Sequence, residues 1–118
     1  MYKSFKEMPV WKSAMDVGEL VFRLTDTLPK REDYGLTSQI RRSAVSISAN
    51  IAEAFGRKHT MDKINFYYIA RGSLTETQSH LVYGQRVGYF DEEKIHGLEK
   101  KLVALHNDLN RLIRSLRK

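Results

Sequence analysis

The stretch IHGLEKKLVALHNDLNRLIRSL, residues 95–116, carries the strongest periodic pattern in this chain. Its large aliphatic residues recur at alternating intervals of three and four positions: Ile95, Leu98, Leu102, Leu105, Leu109, Leu112 and Leu116. This spacing places apolar side chains along one stripe of a helix and leaves polar side chains on the rest of it. Residues 91–117 are therefore predicted to form an amphipathic helix, with Asp91 as its N-cap.

Three further helices are predicted upstream of this stretch. The first spans residues 9–28, where Pro9 suits the first turn and Pro29 ends the helix. The second spans residues 36–57 and carries Ile40, Ala44, Ile47, Ile51 and Ala54 at helical spacing before Gly56. The third spans residues 60–87, with Thr60 as its predicted cap, and ends near Gly88.

Short connections between these helices predict the overall architecture. Neighbouring helices joined by few residues pack antiparallel. No strand pattern, internal repeat or linker competes with the helical pattern. The sequence thus predicts a single all-α domain over residues 1–118, an antiparallel up-down-up-down four-helix bundle.

The composition of the chain indicates where in the cell the protein is expected and which kind of partner it can bind. The chain has no cysteine, which excludes disulfides and thiolate metal sites, and no apolar run that could act as a signal peptide or membrane span. We therefore expect a cytoplasmic protein without membrane contact. Its 20 lysines and arginines exceed 14 acids, giving a net charge of +6, which permits contact with nucleic acid.

Motifs for catalysis or metal binding are missing from the sequence. No histidine has a second histidine three or four residues away, and HExxH, the P-loop and GxGxxG do not occur. The sequence therefore predicts no catalytic residues, no metal site and no cofactor, and we expect a protein that is not an enzyme.

A polar stripe runs beside the apolar stripe of the second predicted helix. It consists of Gln39, Ser43, Ser46, Asn50, Glu53 and Arg57, and the third helix offers Arg71, Ser73 and Glu76 around Gly72. Small hydroxyl and amide side chains at this spacing favour closely packed helices joined by hydrogen bonds, so we interpret the stripe as a structural polar network. Two alternatives are a ligand or catalytic carboxylate pair, Glu53 with Glu76, and a partly exposed stripe without a special role.

Three segments resemble a known family. VWKSAMDV (10–17), YGLTSQIRRSAVSISANIAEAFGR (34–57) and FYYIARGSLTE (66–76) are similar to the bacterial four-helix-bundle proteins encoded in intervening sequences of large-subunit ribosomal RNA genes. The match extends from about Phe5 to Tyr89. The chain departs from the family pattern at Ser43, where alanine is common, and at Ala54, where glycine is usual.

The resemblance implies a ring of identical subunits, a homopentamer without established enzymatic activity. It also implies likeness to the accessory proteins of diversity-generating retroelements, which are basic pentamers that bind a reverse transcriptase and RNA. Surplus aromatic residues favour self-association too, because six of them exceed what one bundle interior readily holds: Phe66, Tyr67, Tyr68, Tyr83, Tyr89 and Phe90.

Two functions are consistent with these features. The first is binding of RNA or DNA through a basic end of the bundle, where an up-down topology gathers Lys3, Lys6, Lys12, Arg57, Lys58, Lys63, Arg111, Arg114, Arg117 and Lys118. The second is a protein-interaction adaptor, such as an accessory subunit of a reverse transcriptase. An enzyme or small-molecule binder remains a third, weaker alternative.

Overall fold

Four α-helices make up most of the computed structural model, which describes residues 1–117. They are α1 (Pro9–Thr25), α2 (Leu36–Gly56), α3 (Thr60–Arg86) and α4 (Glu92–Leu116). Short 3₁₀ helices occupy Phe5–Glu7 and Lys30–Glu32, and no strand occurs in the described part of the chain. Each helix packs against its neighbours in sequence, and α4 also packs against α1, which closes the bundle. The predicted all-α four-helix bundle is confirmed.

The core consists of one apolar stripe from each helix. In α4, Ile95 to Leu109 of the predicted stripe are buried, but Leu112 and Leu116 are only half-buried, and Ile113 takes the core position instead. An α-helix has 3.6 residues per turn, so a strict seven-residue repeat drifts around the helix axis. After two heptads the drift has brought Ile113 to the side that faces the core.

The predicted end of α1 is wrong by three residues. The helix ends at Thr25, whose hydroxyl donates to the carbonyl of Val21 at 2.7 Å, rather than at residue 28. The next three amides bond to carbonyls three residues back, as in a 3₁₀ turn. Leu28 precedes Pro29, and a residue in that position is disfavoured in the α conformation. Proline thus terminates the helix earlier than its own position suggests.

Of the two predicted N-caps, the one of α3 is wrong and the one of α4 is right. His59, not Thr60, is the N-cap of α3, and its side chain makes no capping hydrogen bond. Lys63 instead reaches back to the end of α2, where its ammonium group donates to the carbonyls of Ala54 and Phe55 at 3.2 and 3.1 Å. The predicted Asp91 cap of α4 is confirmed, since its carboxylate accepts the Lys94 amide at 2.8 Å.

Two aromatic residues expected on the surface lie in the core. Tyr67 and Phe90 are buried, and Phe66, Tyr68 and Tyr89 are half-buried, so the expectation that all six aromatics exceed the interior is wrong. Gly84 makes the space for Phe90, because a Cβ atom at position 84 would lie 2.3 Å from the Phe90 ring. Of the six, only Tyr83 is exposed.

Glu32 joins the two connections at one end of the bundle. Its carboxylate accepts the Leu36 amide at 3.0 Å, which caps α2, and the Tyr89 hydroxyl at 2.8 Å, which fixes the turn between α3 and α4. Both hydrogen bonds lower the pKa of Glu32, the one from the Leu36 amide more than the one from the Tyr89 hydroxyl. The hydrogen bond to Glu32 also raises the pKa of Tyr89. Both connections are thereby held in register at this end.

Candidate nucleic-acid interface

The start of α1, the connection between α2 and α3 and the last turns of α4 meet at one end of the bundle. Met8 and Pro9 lie against Leu112 across a shared groove, and the Arg117 guanidinium lies 5.6 Å from the ring centre of Tyr68. We call this the basic end. It contains nine of the ten predicted cations: Lys3, Lys6, Lys12, Arg57, Lys58, Lys63, Arg111, Arg114 and Arg117. Lys118 lies outside the described residues.

Four of these nine cations already have partners within the chain. Arg57 pairs with Glu53 at 2.8 Å and stacks on Phe66, with its guanidinium carbon 4.6 Å from the ring centre. Lys63 caps α2, Arg111 pairs with Asp108, and Arg117 lies over Tyr68. A partner within the chain reduces what a cation gains by contacting a phosphate, so these four are the weaker candidates.

Five cations of the basic end remain uncommitted. The side chains of Lys3, Lys6, Lys12, Lys58 and Arg114 are exposed and make no hydrogen bond or ion pair within residues 1–117. Four acids lie at this end, Glu7, Glu53, Asp62 and Asp108, and two of them are paired with Arg57 and Arg111. Flexible exposed ammonium and guanidinium groups can reach phosphates without breaking existing contacts.

The opposite end has a different charge balance. Around its two connections, four cations lie among five acids, and Arg41 is paired with Asp26 beside them. The cations are Lys30, Arg31, Arg86 and Lys94, and the acids are Glu32, Asp33, Asp91, Glu92 and Glu93. Positive potential is consequently concentrated at one end of the molecule, although the whole chain carries only a moderate net charge.

A groove of about 300 Å³ opens at the basic end. One wall comes from the start of the chain and the other from α4, and its lining residues are Tyr2, Met8, Pro9, Val10, Asp108, Arg111 and Leu112. Five of the seven are apolar or aromatic, and the pair of Asp108 and Arg111 forms the polar rim. Sequence reasoning missed this groove, because its walls are about 100 residues apart in the chain.

The polar stripe of α2 meets α3 through two hydroxyl pairs. Ser43 and Thr77, both buried, lie 2.8 Å apart, and the Ser73 hydroxyl donates to that of Ser46 at 2.9 Å. Asn50 donates its amide to the backbone and side-chain oxygens of Ser46. Thr77 was missed by sequence reasoning, although it lies one helical turn after Ser73 on the same side of α3.

The other predicted members of the stripe make separate contacts. Glu76 accepts from Arg42 at 2.7 Å and lies 3.1 Å from His80, while Gln39 accepts from Arg42 at 3.1 Å. Arg71 reaches α4 and donates to Asn110 at 2.9 Å. Glu53 is bound to Arg57, so the Glu53–Glu76 carboxylate pair considered from the sequence is not formed.

Neither a metal-binding cluster nor a membrane-spanning helix occurs within residues 1–117. In that range no three side chains among His, Asp and Glu come close enough to hold a metal ion. The Glu-x-x-His spacing occurs once, at Glu93 and His96, whereas a di-metal bundle site uses two such pairs and two further glutamates. None of the helices there has an apolar stretch of the length needed to cross a bilayer.

Comparisons with known proteins identify relatives of this bundle. Residues 6–111 match the family model described as 23S rRNA-intervening sequence protein. A Bacteroides thetaiotaomicron VPI-5482 protein of unknown function from the S23 ribosomal protein family has a similar crystal structure, with a TM-score of 0.79 and 23% identity. The likeness covers 88% of this chain and 97% of that one and shows a shared fold. No curated protein matches the chain.

Proposed function

The chain belongs to the 23S rRNA-intervening sequence protein family, and on that premise we propose a non-enzymatic, self-associating bundle that binds nucleic acid through its basic end. The five uncommitted cations are the observation that carries this proposal: Lys3, Lys6, Lys12, Lys58 and Arg114. They lie at one end, while the opposite end has more acids than cations.

Phosphates are the groups that these cations fit. Exposed lysines on flexible stems act as point charges that release counterions from the phosphate backbone, and they read no base sequence. We therefore expect binding that tolerates many sequences of RNA or DNA.

Salt dependence tests this function. If each of the five cations neutralises one phosphate of a duplex, log affinity falls against log salt with a slope of about −4.5, a several-hundredfold loss between about 50 and 200 mM salt. Fluorescence anisotropy of a labelled 20-base-pair DNA measures this slope. An affinity that does not change with salt, or no binding of single or double strands at low salt, would contradict the proposal.

Self-association is assigned to the outer side of α3, which we call the α3 face. Between Lys63 and Gln85 every exposed residue of α3 is uncharged, and the charged Asp62 and Arg86 lie only at its two ends. The uncharged residues are Asn65, Ile69, Gly72, Thr75, Ser79, Val82 and Tyr83. A helix side in contact with water is normally rich in charges, as α4 is, whereas interface centres are depleted in them. Gly72 lies in the middle of this face, and a Cβ atom there would have no neighbour within 4 Å. A second copy of the chain would cover this face in the pentamer that the family resemblance implies.

A single substitution on this face is expected to disrupt assembly. Ile69→Asp places a charge at the centre of the contact, while its 49% exposure means that the isolated bundle loses little stability. Light scattering at micromolar concentration should give several times 13.7 kDa for the unmodified chain and a mass near 13.7 kDa for the variant. Val103→Asp on α4, where Val103 is 54% exposed, is the matched control and should leave the mass unchanged.

An adaptor is the second candidate function, and the α3 face also favours it. An uncharged helix face can contact a different protein, such as the reverse transcriptase suggested by the likeness to retroelement accessory proteins. Light scattering distinguishes a second copy of the chain from a different protein as the partner of the α3 face. A chain that stays monomeric without any substitution would remove the ring and favour a foreign partner for the α3 face.

A further inference from the structure

The groove at the basic end combines an aromatic wall with nearby cations. Tyr2 is 46% exposed, and its side chain makes no hydrogen bond to any other residue in the range 1–117. Met8 forms a buried floor next to Pro9. Lys3 follows Tyr2 directly, and Lys12 lies one helical turn after Met8. An apolar slot bordered by positive charge suits a ligand that has both a flat apolar part and an anionic part.

We infer that this groove takes one unstacked base of a single-stranded nucleic acid, while the surrounding cations hold the phosphates on either side. The inference rests on the proposed function and adds the class of nucleic acid. A base and its phosphate match both halves of the site, because bases stack on aromatic side chains whatever their identity. The Arg111 guanidinium, paired with Asp108 at the rim, keeps the local charge balanced where the base enters.

A duplex cannot use this groove. Its bases are stacked and paired inside the helix, and an open slot of about 300 Å³ cannot reach them without local melting. Electrostatics alone predicts the opposite preference, since a duplex has the higher charge density and the steeper salt dependence. The ratio of single-strand to duplex affinity therefore separates base contact from simple charge attraction.

Binding of the full chain to three labelled DNA probes of about 20 nucleotides, at about 150 mM salt, tests the inference. The probes are a single strand, the corresponding duplex, and an abasic strand that has the same phosphates but no bases. We expect the single strand to bind about tenfold more tightly than the abasic strand, and more tightly than the duplex. The tenfold difference is within the range for one stacked base. Tyr2→Leu should bring single-strand affinity close to the abasic value and leave the abasic strand and the salt slope unchanged, because no charge is removed.

Tyr34→Leu is the matched control. Tyr34 is 97% exposed in the connection between α1 and α2, at the opposite end, and its loss should not change any of the three affinities. Equal binding of the single and abasic strands, or a single-strand preference that survives Tyr2→Leu, overturns the base-binding groove and leaves the proposed function intact. Absence of binding to all three probes at low salt removes both.

Discussion

Gly84→Ala is expected to lower the free energy of unfolding by about 2–3 kcal/mol. The added methyl group would lie 2.3 and 2.4 Å from two carbons of the Phe90 ring and 3.3 Å from Leu36. Phe90 is buried among residues of the core and cannot rotate into solvent without leaving a cavity. Urea denaturation followed by circular dichroism measures the change.

Gly97→Ala is the control for backbone effects. Gly97 lies in the body of α4 and is exposed. Apart from its chain neighbours and its own helix backbone, no atom of residues 1–117 lies within 4 Å of a Cβ added there. Alanine there should raise the free energy of unfolding by about 0.5–1 kcal/mol, because alanine loses less backbone entropy in a helix than glycine does. If the two variants shift stability in the same direction, Gly84 is not a packing glycine and the position of Phe90 is wrong.

Reversal of three uncommitted cations is expected to have the largest effect on nucleic-acid binding. Lys12, Lys58 and Arg114 come from three different elements of the basic end, and none has a side-chain partner within residues 1–117. Replacing all three by glutamate should weaken binding of the labelled duplex at about 100 mM salt by about 100-fold or more, and should flatten the salt slope by about 3. Circular dichroism should show an unchanged fold.

The matched control reverses the same number of charges at the other end. Lys30, Arg86 and Lys94 are exposed, and their side chains have no partner in the described chain. Their replacement by glutamate gives the same net charge, so any general electrostatic effect is equal in both triple variants. We expect a loss of affinity below about tenfold. Equal losses from the two variants would mean that net charge, and not the basic end, attracts the nucleic acid.

The four helices could be predicted from the sequence, because the information for a helix lies within a few turns of chain. Apolar residues three and four apart specify a buried stripe wherever the helix packs, and Asp91 caps α4 through an amide only three residues away. The same locality explains the error at Thr25, where the effect of Pro29 on its preceding residue outweighed the apolar pattern.

Which side chains are available to a partner could not be predicted from the sequence and follows from how the helices pack. The sequence places ten cations together, but it does not show that Arg57 stacks on Phe66 or that Lys63 caps α2. The sequence also contains six aromatic residues in α3 and the turn after it, but it does not show that Gly84 leaves space for Phe90 in the core. These contacts depend on the angles and rotations at which the helices cross, and those are set by packing between segments far apart in the chain. Periodicity determines the buried side of each helix, whereas the partners of its exposed residues follow only from the assembled bundle.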